Sequence, residues 1–227
     1  MALLDSYATL ADLKARLRIP TLVTTDDTIL TDALKSASRS IEGATSRQFN
    51  VDGAGLTSRS FYATSPDVVF IDDVSTTTGL VIKTDNDDDG TFETTWSASD
   101  YLLRPLNGIE NGVSGWAYSR IEAVGGMYFP VSGRYGRTAP VSREFFGPIW
   151  PVVRRRPGVQ VTATFGWPNV PENIRQACMI LAEELFKLKD APFGVAGWGQ
   201  YGQIRVRENP KIAELLSQYT QGQVIFS

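Results

Sequence analysis

The spacing of apolar positions changes twice along this chain, from a helical period to an alternating one and back. In the opening stretch "YATLADLKARLRIP", apolar residues recur every three or four positions, which predicts a short helix. Thr9 followed three residues later by Asp12 resembles a capping box, with the acid in the first turn where the helix dipole favours it. Pro20 is expected to close that helix. After "TLVTT", Thr25 or Asp26 can cap a second, longer helix running to about Ser46, with Ile29, Leu30, Leu34, Ala37 and Ile41 at helical spacing. Lys35, Arg39 and Glu42 lie on its other face. The small residues of "ALKSASRS" permit close approach of a neighbouring helix or subunit.

From about Asn50 to Trp167 the texture becomes short alternating runs broken by Gly, Pro and Asp clusters, which predicts antiparallel strands. The expected strands are "RSFYAT", "DVVFID", "GLVIKT", "FETTWS", "DYLLR", "SRIEAV" and "VQVTATFGW". In the last, Val159, Val161, Ala163 and Phe165 face one way and Gln160, Thr162 and Thr164 the other, the pattern of a half-buried strand. A region of this size suits a sandwich or small barrel, with "SGWAYS" and "PVSGRYGRTAPVSREFFGP" as its longer loops.

The helical period returns in "NVPENIRQACMILAEELFKLKD", where Ile174, Cys178, Leu181, Leu185 and Leu188 form a seam and Pro171 stands at an early position that needs no N–H. That seam must bury against something, and the first two helices are the obvious partners. The expected fold is therefore α+β: a small bundle of three main helices interrupted by a large antiparallel β-rich insertion, followed by an extended C-terminal arm. The expected divisions are 1–50 for the N-terminal helices, 51–168 for the inserted β domain, 169–190 for the third helix and 191–227 for the arm.

After Asp190, "DAPFGVAGWGQYGQIRV" has no period, and "NPKIAELLSQYT" then offers one more short helix with Ile212, Leu215, Leu216 and Tyr219. A disordered terminus should be polar and poor in aromatics, because such chains bury too little apolar area to offset ordering entropy. This one carries Phe193, Trp198, Tyr201, Ile204, Val206, Leu215, Leu216, Tyr219, Val224 and Phe226. Apolar anchors on a glycine-rich tether are expected to order against another surface, either the chain's own domain or another chain.

Composition narrows the chemistry. The 227 residues contain no histidine, which removes Ser-His and Cys-His nucleophile pairs, His-based zinc sites and imidazole acid–base catalysis. One cysteine, Cys178, excludes an internal disulfide and reads as a small core residue. No apolar run approaches 18 residues and no secretory signal is visible, so no membrane contact is expected and the chain is expected to be cytosolic when made. A net charge of -3 lacks the basic balance of a sequence-reading nucleic-acid binder, and the basic run Arg154–Arg156, followed by Pro157 and Gly158, reads as a solvated turn or protein-interface patch. No cofactor is expected.

"DNDDDGTFETTW" is the best candidate for a chemical site. Asp85, Asp87, Asp89 and Gly90 match positions 1, 3, 5 and 6 of a calcium loop, and Glu93 can assist. Position 12, where a bidentate glutamate is wanted, is Trp96, and the flanks read as strands, so a hairpin tip closed by Asp-Gly accounts for the same letters. Asp72 and Asp73 are adjacent on a strand and point to opposite faces, so they are no catalytic pair. The glycines of "GVSGWAYSRIEAVGG" form no nucleotide-binding pattern, and the five tryptophans are scattered as core or loop anchors. Without a catalytic constellation the chain reads as a non-enzyme. A calcium-dependent carbohydrate- or receptor-binding module is the alternative that the acidic loop supports.

The order "YATLADLKARL", "DDTILTDALKSASRSIEGATSRQF", a β insert, "VTATFGWPNVPENIRQACMILAEELFKLKDAPFGVAG" and "IRVRENPKIAELLSQY" resembles the head-to-tail connector (adaptor) proteins of long-tailed bacteriophages. Both helical ends carry the resemblance, about half the chain, and the β insert carries less of it. The resemblance implies a structural virion protein that assembles as a dodecameric ring under the portal protein. Such a ring extends the DNA channel and joins capsid to tail through a downstream neck or tail-completion protein. It further implies synthesis in the host bacterial cytoplasm, genomic DNA passing through without sequence-specific binding, the three helices as ring wall and the tail from Asp190 as a portal-docking arm. An acid-leaning chain agrees with a channel that must not grip DNA, since phosphate neutralisation is what makes DNA stick.

Overall fold

Thr9 opens helix α1 (Leu10–Leu17) by the reciprocal bonding its spacing predicts: Asp12 N donates to Thr9 Oγ1 at 3.1 Å and Thr9 N donates to Asp12 Oδ2 at 3.4 Å. The helix ends before Pro20. Arg18 adopts the left-handed conformation, φ 58°, and its N–H satisfies the Lys14 and Ala15 carbonyls. The computed structural model describes residues 6–51, 53–110, 112–131, 156–188 and 209–220.

Helix α2 (Asp27–Thr45) follows Asp26, which occupies the N-cap position without a side-chain capping bond. Its buried stripe is Leu30, Ala33, Leu34, Ala37, Ser38, Ile41 and Thr45. Ile29, expected in that stripe, is 45% exposed, because a residue directly before Leu30 lies about 100° round the helix. The two buried hydroxyls are satisfied locally, Ser38 Oγ on the Leu34 carbonyl and Thr45 Oγ1 on the Ile41 carbonyl. Helix α3 (Glu172–Lys187) has Pro171 at its N-cap and buries Ile174, Ala177, Cys178, Met179, Leu181 and Ala182. It packs along α2, with Ser38 Oγ and Cys178 Sγ 3.4 Å apart, so the small residues of α2 admit α3 to close range. The seam fades toward its end: Leu185 is half-buried and Leu188 exposed.

Helix α4 (Pro210–Leu216) is short, capped by Asn209 whose side chain accepts from Lys211 N and Ile212 N. It packs on α3, with Asn209 Nδ2 donating to Glu184 Oε1 at 2.7 Å. An aromatic chain joins three distant segments: Tyr7 and Phe49 meet edge-to-face at 5.7 Å, and Phe49 and Tyr219 at 5.6 Å. The Tyr7 hydroxyl donates to Glu42 Oε1 and accepts from Phe49 N, which satisfies a buried polar tip inside the apolar cluster.

The chain divides into two compact units, residues 1–50 with 169–227, and residues 51–168. In the second unit, β1 (Leu56–Phe61), β9 (Val159–Thr164), β3 (Val81–Thr84) and β4 (Thr94–Thr95) form one antiparallel sheet in that order. A second antiparallel sheet runs β2 (Val68–Val74), β8 (Tyr118–Ala123), β5 (Tyr101–Arg104). In β9, Val159, Val161 and Ala163 are buried and the residues between them half-buried, the alternation its sequence predicts. Residues of both sheets share one core, including Val69, Ile71, Ile82, Ile121, Val161 and Phe165, with Trp96 stacked on Phe129 at 4.4 Å. The fold is α+β. A small hairpin of β6 (Ile109–Glu110) and β7 (Val113–Ser114) falls in a stretch from which no strand is expected, because all four of its residues are exposed and carry no burial alternation.

Candidate functional site

The acidic sequence closes the β3–β4 hairpin, whose register pairs Lys83 with Thr95 and Thr84 with Thr94. Asp85 is fully buried, and its carboxylate staples the tip: Oδ1 accepts from Asp88 N at 2.7 Å and Oδ2 from Gly90 N at 3.0 Å. Asp89 Oδ1 accepts from Thr91 N at 2.6 Å, and Glu93 Oε1 accepts from Asn86 N at 2.9 Å. Gly90 has φ +96°, and a Cβ there would come within 2.7 Å of Arg156 Nη1. Arg156 donates to the Asp89 carbonyl, bringing one positive charge to the acidic turn.

One carboxylate oxygen from each of Asp85, Asp87, Asp89 and Glu93 lies within 4.8 Å of the others. This oxygen-only set could hold a hard cation such as calcium. Trp96, at the calcium-loop position that wants a glutamate, is instead a core residue whose Nε1 donates to Thr84 Oγ1 at 3.2 Å. The other acidic pair separates as its strand geometry requires. Asp72 is exposed and bonded to Arg59 Nη1 at 2.8 Å, while Asp73 is buried and accepts from Trp167 Nε1 at 2.8 Å.

Of the expected docking-arm residues, Phe193, Trp198, Tyr201, Ile204, Val206, Val224 and Phe226 lie outside the described residues. The other three sit in or just after α4 and divide by face. Leu216 and Tyr219 are buried with Ile212 against their own helical unit. Leu215 is half-buried and lines an open groove of about 540 Å³ between α3 and α4, together with Asn173, Ile180, Lys211, Glu214, Ser217 and Gln218.

A second surface feature of the helical unit escapes a periodicity reading. Lys14 points inward from α1, is 3% exposed, and pairs with the Asp27 carboxylate. Its Nζ also donates to the Val23 carbonyl at 2.8 Å and the Thr21 carbonyl at 3.4 Å. Leu22, between those two carbonyls, is 93% exposed. The ammonium thus fixes the turn from within while the leucine points to solvent. Two adjacent apolar residues in the threonine-rich turn "TLVTT", and a lysine on the buried side of α1, were the signals available in the sequence.

Electrostatics in the helical unit are those of a packed scaffold. Burial pushes the Cys178 thiol up, keeping it protonated and inert as a nucleophile. Burial, aided by the bond to Glu42, likewise raises Tyr7 well above the usual phenol range. Among the described residues no helix is long and apolar enough to cross a membrane.

No protein-family model matches the chain, and no curated protein matches it significantly. Solved structures do. A chain from the neck of an empty gene transfer agent (GTA) particle, computed with C6 symmetry, is 21% identical, with the match covering 100% of this chain and 96% of that one at a TM-score of 0.54. A chain from the virion of a native gene transfer agent particle is 18% identical over 97% of this chain and 93% of that one, at a TM-score of 0.49. From end to end, this chain shares the fold of a chain in the neck of a gene transfer agent particle.

Proposed function

We propose that this chain is a structural component of the neck of a phage-like particle: a head-to-tail adaptor that assembles as a ring under the portal, extends the DNA channel and joins the head to the tail. The observation that carries this reading is the end-to-end fold likeness to a chain of a particle neck, at nearly equal length. The order of helices around a β insertion, by which the sequence resembles head-to-tail connectors, supports it independently. The absence of histidine and the net charge of -3 suit a scaffold that lets DNA slide past. The proposed ring is a dodecamer, a copy number compatible with a neck computed with C6 symmetry if each repeat holds two chains.

The portal-docking role is assigned to the apolar anchors of the arm, led by Phe193, Trp198 and Tyr201. The test is copurification of the full chain with its portal protein and imaging of the isolated neck. Trp198→Ala is expected to weaken portal binding while leaving the stability of the helical unit unchanged. Undiminished portal occupancy in that variant would sink the docking assignment, and a neck lacking this chain would sink the whole reading. The alternative, a calcium-dependent carbohydrate- or receptor-binding module, rests on the convergence of Asp85, Asp87, Asp89 and Glu93. Calorimetry against millimolar calcium separates the two readings.

A further inference from the structure

The connection between α3 and α4 is far longer than the distance it has to cover. Helix α3 ends at Lys187 with Leu188 as its cap, and α4 starts at Pro210 behind its Asn209 cap. Asn209 Nδ2 donates to Glu184 Oε1 at 2.7 Å, and Glu184 stands one helical turn before Leu188. One turn rises about 5.4 Å, so with the two side chains allowed for, the ends of the connection lie within about 15 Å of each other, a span that about five residues cover. The sequence places twenty residues there, Lys189 to Glu208, four of them glycine.

Surplus length weakens a contact within one chain. Loop-closure entropy grows with the logarithm of length, so twenty residues in place of five lower the effective concentration of α4 at its own α3 by about eightfold. Helix α4 has seven residues, too few for a stable helix by itself, so it depends on the surface it meets. Ile212, Leu216 and Tyr219 are the residues it buries there, Tyr219 edge-to-face on Phe49 at 5.6 Å. Every copy of the chain carries the same α3 and Phe49 and so offers the same seat. What the length supplies is reach. A compact unit the size of the helical one, residues 1–50 with 169–227, has a radius of gyration of about 13 Å, so adjacent units in a ring stand about 35 Å apart. A five-residue link ends at about 17 Å, whereas twenty residues extend to about 65 Å and, as a glycine-rich coil, average about 25 Å between ends. A neighbour's seat is therefore within range of this tether and out of range of one sized for the chain's own seat.

We propose that α4 is exchanged around the ring: the α4 of each copy packs on the α3 and Phe49 of the next copy, by the same contacts that it makes within a single chain. The proposal rests on the neck reading above for the ring itself. Exchange of an identical element uses a seat that is already complementary, so no new surface is required. A head-to-tail exchange leaves a seat empty at the end of an open chain of subunits and none in a closed ring, which favours closure. It also links each subunit to the next through the tether that carries Phe193, Trp198 and Tyr201.

The test places one cysteine on each side of the seat, Glu184→Cys with Asn209→Cys, in the full chain, whose single native Cys178 is buried. The dilute free chain and isolated necks are each oxidised mildly and run unreduced. The free chain is expected to link within itself and stay at one chain mass. Necks are expected to give a disulfide-linked ladder at whole multiples of that mass, absent from either single variant. Ile180→Cys with Leu215→Cys, which line the groove between the same two helices, is a second pair expected to give the same change from one chain mass to a ladder, so misfolding of one pair does not decide the result. Links within single chains in rings that image normally would overturn the exchange and leave the neck reading standing. No link of either kind in such rings would put α4 on the portal or another neck protein and overturn the exchange as well. A free chain that links in neither pair would refute the seat itself, and necks that assemble without this chain would overturn the exchange and the neck reading together.

Discussion

Replacing Tyr219 by alanine tests whether the segment after residue 208 is an arm or part of the helical core. Tyr219 is 5% exposed and meets Phe49 edge-to-face at 5.6 Å, and Phe49 in turn is fully buried against Tyr7. Truncating a buried aromatic costs about 3–5 kcal/mol, and a site just past the end of a short helix can partly collapse, so about 3 kcal/mol is expected. Cys178 supplies an assay confined to this unit, because it is the only cysteine and lies fully buried on α3 where it meets α2. Labelling of such a thiol requires opening, and its rate follows the open population when reclosing is fast. A loss of about 3 kcal/mol should therefore speed labelling by about two orders of magnitude. Leu215→Ala, on the groove side, should change it by no more than a few-fold. A Tyr219→Ala effect under about fivefold would refute the assignment of α4 to the core. The same packing governs truncation experiments. Deleting everything past Asp190 removes Ile212, Leu216 and Tyr219 together, about 8 kcal/mol of buried side chains, comparable to a whole domain's stability. Loss of portal binding in such a truncation would report unfolding, which is why Trp198→Ala is the cleaner variant.

Lys14→Met should destabilise the helical unit by about 1–3 kcal/mol in urea and accelerate amide exchange at Leu22 and Val23, because two carbonyls and the Asp27 carboxylate lose their shared donor. Acid should weaken the same unit. The bonds from Lys187 and Arg16 hold Glu183 below its ordinary value of 4.5, Arg175 does the same for Glu172, and the Thr9 cap lowers Asp12 from 3.8. Carboxylates lowered in the folded state contribute stability that is complete above the unfolded values and lost as pH falls through the folded ones. Helicity is therefore expected to become acid-sensitive below about pH 4.5, with a shallower decline in Glu183→Gln. Millimolar calcium is expected to leave melting of the β unit unchanged, since both Asp85 oxygens already accept turn amides and Arg156 brings positive charge to the loop. Saturable heat that vanishes in Asp87→Ala would reverse that expectation and favour the binding-module reading.

Local chemistry settled much of this protein in advance. The Thr9–Asp12 box, the buried stripe of α2 from Leu30 to Ile41, the alternation of β9 and the opposed faces of Asp72 and Asp73 all follow from periods of 3.6 and 2 and from cap geometry. These are properties of neighbouring residues, so the letters suffice. What the letters left open was partnership. The apolar tail residues could order on their own domain or on another chain, and only packing distinguishes Leu216 and Tyr219, buried beside Phe49 and α3, from Leu215, one position away and turned toward the groove. Lys14 falls on the apolar stripe of α1 by its spacing, but which groups its ammonium binds is decided only when the turn after α1 folds back over it. The four acidic groups of the β3–β4 tip converge only because the hairpin register brings Glu93 back beside Asp85. In each case the deciding contact is made by residues distant in sequence or by a turn that reverses the chain, and its energy depends on which surfaces the tertiary fold leaves dry.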